Sequence, residues 1–314
     1  MRIAVFGTGA VGAYFGGRLA EAGEDVAFVA RGDNLRAIRE RGLRVSSVAG
    51  DFLIRPARAS DDPAELGPAD VVLVAVKAWQ VAEAAEAMRP LLGPDTYVVP
   101  LLNGVEAPDQ LAAALGPERV VGGICRIVAW IEAPGHIRHA GVPPWIGFGE
   151  LAGGVSERLE RLAAAFGRAR GLIVEPLANV RAELWKKLMF IAAVCGVGAV
   201  TRAPIGVVRS RPETRRLLER AVEEVRAVAA GCGVPLPASA VTETLAFMDS
   251  LPEDTTASMQ RDIIAGRPSE LEAQSGAVAR LARRASVEAP VHDFIWRSLL
   301  PQERRARGEV TFPP

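Results

Sequence analysis

Three glycines near the start of the chain have the spacing of a phosphate-binding turn. In the segment GTGAVG, Gly7, Gly9 and Gly12 form the pattern G-x-G-x-x-G between the apolar run RIAVF and the helical pattern AVGAYFGGRLAEAG. The first glycine permits a tight turn, the second lets the backbone approach a pyrophosphate, and the third lets a helix pack closely on a strand. The helix N-terminus then offers N–H groups and a partial positive charge to the phosphates. The residues that we expect to contact a dinucleotide here are Gly7, Thr8, Gly9, Ala10, Val11 and Gly12.

The same opening run has two other interpretations. A secretion signal fits poorly, because glycines interrupt the apolar run and an amphipathic pattern continues through AYFGGRLAEAGEDV. Glycines that only pack a turn would not explain why the motif stands between a strand and a helix, followed by a second strand DVAFVAR. Dinucleotide binding is therefore favoured.

Arg31 ends that second strand, where an NAD-specific site usually has an acidic residue for the ribose hydroxyls. A guanidinium group instead matches a 2′-phosphate and can stack on adenine. The pattern favours NADP(H), while Asp33 nearby leaves NAD as an alternative.

Polar residues also follow two further apolar strands. Lys77 ends ADVVLVAVK and Asn103 follows TYVVPLL. Because ligands of parallel sheets bind at the carboxyl ends of the strands, we expect Arg31, Lys77 and Asn103 to contribute to one site. Ordinary turn formation is the alternative for each of them alone.

Lys187, in RAELWKKL, is a candidate proton donor. Hydride transfer to a carbonyl leaves an alkoxide, which needs a proton and electrostatic support. The helix continues with Leu188, Ile191 and Cys195, so the lysine borders an apolar face where its pKa can be lowered. The residues alone leave open a second interpretation, in which Lys186 and Lys187 form an exposed charged patch.

Composition and charge exclude several classes of protein. The 314 residues suggest two domains, and 37 basic residues balance 37 acidic ones without a basic stripe, so we expect neither nucleic acid nor a membrane as partner. The three cysteines form no CxxC pair, and His136 and His139 have no third ligand nearby, so no metal site is expected. No run reaches the roughly 18 apolar residues of a membrane span. The widely spaced cysteines read as buried thiols in a reducing cytoplasm, so a cytoplasmic protein is expected.

The pattern of elements predicts an α/β fold. Residues 1–176 read as a Rossmann-type, doubly wound parallel sheet, with a small hairpin at LRVSS and DFLIRPA and extra antiparallel strands in the region 120–150. Residues 177–314 read as successive helices, with SELEAQSGAVARLARRA as one of them. We expect the substrate in the cleft between the two domains.

Six segments, in order GTGAVG, VKAWQ, LLNG, RAELWKKL, SMQRDI and GRPSELE, resemble the ketopantoate reductase (2-dehydropantoate 2-reductase) family. The resemblance covers nearly the whole chain. It implies reduction of the C2 ketone of 2-dehydropantoate by NADPH, giving pantoate for coenzyme A synthesis through the pantothenate pathway, and a possible homodimer.

The resemblance also implies roles for individual residues. Lys187 would protonate the carbonyl, and Glu270 would hydrogen-bond at the reacting centre to the lysine, substrate or cofactor. Ser258 would bind the substrate carboxylate, and Asn103 would bridge cofactor and substrate. For Glu270 and Ser258 the residues alone predict only ordinary helix starts.

For the cofactor, the resemblance implies that Arg31 and Lys77 hold the adenosine phosphate end. It implies that Ala129 contacts the nicotinamide half.

This chain departs from the family where the family usually has substrate-binding asparagines. Those positions hold Ile191, Cys195, Ser275 and Thr255. Each lost polar partner typically costs on the order of 1 kcal/mol. A related, more apolar 2-oxo acid or ketone is therefore an expected substrate. Another NADP-dependent dehydrogenase of the same superfamily and a non-catalytic NADPH sensor are the alternatives.

Overall fold

The computed structural model describes residues 1–312, which form two compact units. The α/β unit comprises Met1–Leu102 and Ala107–Val180, and the helical unit comprises Asn103–Glu106 and residues 181–312. The sequence placed the boundary after residue 176, and it gave no sign that Asn103–Glu106 belongs with the helices.

The α/β unit alternates strands and helices along the chain. Its strands are β1 (Arg2–Phe6), β2 (Asp25–Val29), β3 (Leu43–Ser47), β4 (Phe52–Ile54), β5 (Arg58–Ser60), β6 (Ala69–Val74), β7 (Leu92–Pro100), β8 (Val121–Ala133), β9 (His136–Glu150) and β10 (Ile173–Pro176). Its helices are α1 (Ala10–Glu21), α2 (Gly32–Arg41), α3 (Pro63–Leu66), α4 (Val81–Ala87), α5 (Ala107–Leu115) and α6 (Glu157–Gly167).

The first sheet is parallel, with strand order β5-β2-β1-β6-β7. Its strands are apolar on both faces, as parallel sheets covered by helices require. On β1, Ile3 and Val5 pack into one core with α1 and α6, while Ala4 and Phe6 pack into another with α4 and α5. The predicted Rossmann-type sheet is confirmed.

A second sheet has the order β10-β9-β3-β4, and the long strand β8 pairs with β9 antiparallel. The predicted hairpin of β3 and β4 is present, with Val45 opposite Phe52. The next strand, β5, leaves this sheet and pairs with β2 in the first one. The predicted antiparallel strands are β8 and β9.

The helical unit contains α7 (Val180–Thr201), α8 (Ile205–Ser210), α9 (Pro212–Gly231), α10 (Ser239–Ser250), α11 (Ser258–Ile264), α12 (Ser275–Arg284) and α13 (Pro290–Ala306). By length and composition α7 could cross a membrane, but 67% of its most apolar 18-residue window is buried inside the protein. Within this unit α7 packs on other helices, with Gly196 close to Ile295 of α13 and Gly198 close to Gln260 of α11.

The predicted helix from SELE onward is wrong over its first six residues. Residues 270–274 form turns, and α12 begins only at Ser275. The preceding Gln274 has φ −109° and ψ −99°, which is not helical. Glu270 therefore lies in a turn and is not a helix-start residue.

Candidate active site

The glycine turn between β1 and α1 is shaped by close backbone contacts. Gly7 has φ +99°, and a Cβ there would lie 2.8 Å from Val76 Cγ1. A Cβ on Gly12 would clash with the carbonyl oxygen of Gly7 and approach Val5 Cγ1 to 2.9 Å. At Gly9, by contrast, a Cβ would meet nothing within 4 Å. The turn is tight on its protein side and open at Gly9.

The N-terminus of α1 is suited to an anion. Its N-cap is Gly9, which makes no side-chain capping bond, and its first turn carries no acidic residue. The backbone N–H groups of this first turn have no partner within a helix. Together with the open space at Gly9, this arrangement fits a diphosphate group.

Thr8 is held by the protein itself. Its backbone N–H and its hydroxyl both donate to the carbonyl of Val29, at 3.1 and 2.8 Å, and its own carbonyl accepts from Asn34 Nδ2 at 2.7 Å. The Thr8 side chain is buried. Thr8 therefore fixes the turn to the end of β2.

Arg31 follows β2 and Lys77 follows β6, the two strands that flank β1. Their ends lie at the same edge of the sheet, because Phe6 of β1 pairs with both Val29 and Val74. The guanidinium group of Arg31 contacts Glu83 Oε1 of α4 at 3.3 Å, and both side chains are more than 60% exposed. The ammonium of Lys77 lies 5.8 Å from the centre of the Trp79 ring. Two cations thus stand at the carboxyl edge of the first sheet.

Asp33, the residue that kept NAD open, pairs with Arg36 within α2. Ala129 lies elsewhere in the α/β unit, in β8 of the second sheet opposite His139, partly buried against the core. Ala129 therefore belongs to the second sheet and not to the sheet that carries the glycine turn.

In the helical unit, two predicted site residues meet. Asn103 Nδ2 donates to Glu270 Oε2 at 2.8 Å, across 167 residues of sequence. The backbone beside Asn103 is tightly fitted, since Gly104 has φ +96° and a Cβ there would lie 2.8 Å from the Ala273 carbonyl oxygen. Glu270 is only 6% exposed, and its carboxylate is held in this partly buried hydrogen bond.

Lys187 is half-buried in the second turn of α7. Its neighbour Lys186 forms an ion pair with Glu183 at 2.7 Å. The ammonium of Lys186 is thus paired along its own helix.

Cys195 lies two turns further along α7 and is buried. Burial, and then the negative charge of Glu270, raise the pKa of its thiol to about 12. The thiol stays protonated at neutral pH, so it is a small, nearly apolar side chain and not a nucleophile.

The remaining predicted substrate residue and the substituted positions lie in different segments of the helical unit. Ser258 is exposed and is the first residue of α11. The Thr255 carbonyl accepts from the Ile205 N–H. Ser275 is fully buried, with its hydroxyl 3.4 Å from Nδ1 of His292. The hydroxyl of Ser275 is thus used inside the helical unit.

Two features of this region have no clear signal in the sequence. Ser269, the neighbour of Glu270, is hydrogen-bonded to the buried Glu303. In the sequence, Glu303 is one of several charged residues in a helical segment, and nothing there indicates that it is buried. Gln274 is fully buried and, within residues 1–312, neither side-chain polar atom has a hydrogen-bond partner. In the same residues, no group of three His, Cys, Asp or Glu side chains is placed to hold a metal ion.

Comparison with known proteins gives consistent matches over both units. The model of the family "Ketopantoate reductase PanE/ApbA" matches residues 3–153, and the model of its C-terminal domain matches residues 179–303. A 2-dehydropantoate 2-reductase of Mesorhizobium japonicum is 33% identical, over 94% of this chain and 95% of that protein. The uncharacterized oxidoreductase YkpB of Bacillus subtilis is 31% identical, over 95% and 98%.

The fold also matches a solved structure of this kind. The crystal structure of 2-dehydropantoate 2-reductase from Methylococcus capsulatus superimposes with a TM-score of 0.89 and 32% identity, covering 98% of each chain. With its glycine turn suited to a diphosphate, the chain is a pyridine-nucleotide-dependent oxidoreductase acting on a CH–OH group. The chain belongs to the ketopantoate reductase family.

Proposed function

We propose that this enzyme uses NADPH to reduce a 2-oxo acid to a 2-hydroxy acid, either 2-dehydropantoate to pantoate or a related, more apolar 2-oxo acid. The observation that carries the proposal is the hydrogen bond from Asn103 to the buried carboxylate of Glu270. The family resemblance assigns both residues to one reaction, although they are 167 residues apart in the chain. A turn former and a helix-start residue would have no reason to meet.

The proposed chemistry needs a proton and a fixed carboxylate. When bound, the reduced nucleotide supplies a hydride to the carbonyl carbon. We assign to Lys187 the transfer of a proton to the carbonyl oxygen, because an ammonium can both donate and stabilise the developing negative charge. Glu270 accepts from Asn103 and is held for a hydrogen bond at the reacting centre. Ser258 is assigned to the substrate carboxylate.

NADP(H) is the proposed form of the nucleotide. Gly7, Gly9 and Gly12 would hold the diphosphate, with the N–H groups of Ala10 and Val11 at the start of α1. Arg31 and Lys77 would take the 2′-phosphate, since the exposed contact of Arg31 with Glu83 is weak and can be exchanged for a phosphate. Ala129 remains a proposal for the nicotinamide half.

The substrate side favours the more apolar acid. Ile191 has no polar group, the Cys195 thiol is buried and protonated, and the Ser275 hydroxyl faces His292. These three positions offer no amide for the hydroxyl of 2-dehydropantoate. A site without such partners discriminates weakly against a substrate lacking the hydroxyl.

A matched pair of substrates tests this proposal. 3,3-Dimethyl-2-oxobutanoate has the skeleton of 2-dehydropantoate without the hydroxyl group. NADPH oxidation should proceed with both, and kcat/KM for the apolar acid should equal or exceed that for 2-dehydropantoate. Ile191→Asn should shift the ratio toward 2-dehydropantoate. Absence of NADPH oxidation with every 2-oxo acid would leave the NADPH sensor as the better proposal.

We further propose a cytoplasmic homodimer. Support for the compartment comes from the free thiols of Cys125, Cys195 and Cys232, which suit a reducing environment. The dimer rests on family likeness and is tested by sedimentation.

A further inference from the structure

We propose that Glu303, near the end of α13, is a positioning residue that orients Glu270 for the reaction. The inference rests on the proposed function, in which Glu270 hydrogen-bonds at the reacting centre. The carboxylate of Glu303 bonds to the residue that precedes Glu270 in the chain. It acts through Ser269, the residue immediately before Glu270, which lies 34 positions earlier in the chain.

Every polar group of Ser269 is bonded, to Glu303 in the last turn of α13, to Arg307 just after that helix, and to Leu271. Its backbone N–H donates to both carboxylate oxygens of Glu303, at 3.1 and 3.0 Å, and its hydroxyl donates to Glu303 Oε2 at 2.5 Å. Its carbonyl accepts from Arg307 Nη2 at 3.1 Å. Arg307 in turn forms an ion pair with Glu303 at 2.6 Å.

These bonds fix the two peptide groups that flank Glu270. The Arg307 contact holds the Ser269 carbonyl, which belongs to the peptide before Glu270. The Ser269 hydroxyl also accepts from the N–H of Leu271 at 3.2 Å, which belongs to the peptide after Glu270. With both peptides held, the direction in which the Glu270 side chain leaves the backbone is set. Asn103 then fixes the carboxylate at the other end.

The free-energy cost of burying the Glu303 carboxylate argues that this arrangement does more than hold a turn. Glu303 is 2% exposed, and burying a carboxylate is unfavourable unless its oxygens are well bonded. The turn interrupts a segment whose own sequence predicts a helix. A reaction that loses about 10²-fold in rate from a misplacement of 1 Å gives a reason to hold Glu270 this firmly.

Glu224 offers a matched control for a purely structural role. It too is a buried glutamate whose two oxygens accept backbone N–H groups, from Val291 at 2.9 Å and His292 at 3.0 Å. Those bonds secure the beginning of α13 and involve neither Ser269 nor Leu271. Glu303→Gln and Glu224→Gln therefore each alter a buried carboxylate that accepts backbone N–H groups, at opposite ends of one helix, and Glu303→Gln also removes the ion pair with Arg307.

The test compares these two variants and Ser269→Ala at a temperature where circular dichroism shows all of them folded. Glu303→Gln places an amide donor against the Ser269 N–H, so kcat with the best 2-oxo acid should fall about 10- to 100-fold. NADPH affinity should be unchanged, and Glu303→Asp should recover part of kcat. In Ser269→Ala, which keeps the bonds from the backbone N–H of residue 269 to Glu303, kcat should fall less. Glu224→Gln should lower the melting temperature while changing kcat by no more than about twofold.

Hydrogen exchange separates failure of this inference from failure of the proposed function. In Glu303→Gln the amides of Ser269 and Leu271 should exchange faster than in Glu224→Gln, whether or not a substrate is known. Equal kcat in the two glutamine variants of an active enzyme overturns the inference. If the wild-type chain reduces no 2-oxo acid, the proposed function fails, and unchanged exchange at these two amides overturns the positioning as well.

Discussion

The glycine turn of the α/β unit and the Glu270 cluster of the helical unit are built from different parts of the chain. At the turn, the proposed binding groups are backbone N–H groups, and the proposed site depends on side chains being absent at Gly9 and Gly12. Around Glu270, the groups are side chains brought from distant segments, such as Asn103. We therefore expect the turn to be disrupted by substitutions that add a side chain, and the Glu270 cluster to be disrupted by substitutions that remove one.

The largest effect should come from removing the ammonium of Lys187. Lys187→Ala should lower kcat with a 2-oxo acid by about 10³-fold, the usual size of a lost general acid. The NADPH dissociation constant should stay unchanged, because the nucleotide phosphates are assigned to the glycine turn. Stopped-flow NADPH oxidation and a fluorescence titration measure the two quantities.

Lys186→Ala is the matched control for this prediction. It removes the adjacent ammonium, which is paired with Glu183, and should keep nearly full turnover. Equal losses in the two variants would show that both lysines serve only as surface charges, and Lys187 would leave the mechanism.

The helical unit, which contains the Glu270 cluster, has buried polar side chains that make its stability sensitive to acid. His292 is fully buried, Nε2 lies 3.0 Å from the Ala221 carbonyl, and burial lowers its pKa from 6.5 to about 4. Between pH 6.5 and about pH 4, the His292 side chain is protonated in the unfolded chain but not in the folded chain. The free energy of unfolding should therefore fall by about 3 kcal/mol as pH decreases from 6.5 to 4.

Urea unfolding from pH 7 to 4, in wild type and His292→Gln, measures this contribution. Buried Glu224 acts in the opposite direction, because burial raises its pKa and the folded chain gains its proton first. Glu150, whose pKa is lowered by the Arg158 hydrogen bond, loses its contribution only below about 4.5. If His292→Gln has the wild-type slope between pH 6.5 and 4.5, His292 is not the source.

The contrast also explains which features the sequence could predict. The glycine turn is local, since strand, spacing and helix lie within one short segment, and each glycine has its own steric reason. The turn at Glu270 is not local. Its segment has helix-forming residues, and only the bonds from Glu303 and Arg307 to Ser269 favour the other conformation. No pattern near Ser269 contains that information.

Asn103 shows the same limit in a milder form. Its position after an apolar strand marked it for a site, and the family pattern supplied its role. Its grouping with the helical unit depends on tertiary contacts such as the ion pair of Glu106 with Arg280 at 2.9 Å. Residue type and order do not predict such a contact.

At the turn, an intermediate effect should follow from adding single methyl groups. Gly9→Ala is sterically free in the protein, since φ is −80° and no atom lies within 4 Å of the new Cβ, so stability should be unchanged. NADPH affinity should fall about 10- to 100-fold, because the methyl occupies the approach of the diphosphate. Gly12→Ala should lose both affinity and melting temperature, because its Cβ clashes with Gly7. Unchanged NADPH binding by Gly9→Ala would contradict diphosphate binding at this turn.

The smallest effect should be the choice between the two nucleotides, since it depends on a side chain at the edge of a site otherwise made of backbone. Arg31→Ala should weaken NADPH binding about 10-fold and leave NADH binding nearly unchanged, because only NADPH carries the 2′-phosphate that a guanidinium can bind. Arg36→Ala, which removes a neighbouring exposed guanidinium paired with Asp33, is the control and should preserve both affinities. Glu83→Gln should strengthen NADPH binding slightly by releasing Arg31 from its carboxylate partner. Equal weakening of NADPH and NADH in Arg31→Ala would assign Arg31 to the adenine ring, and nucleotide preference would then have to come from Lys77.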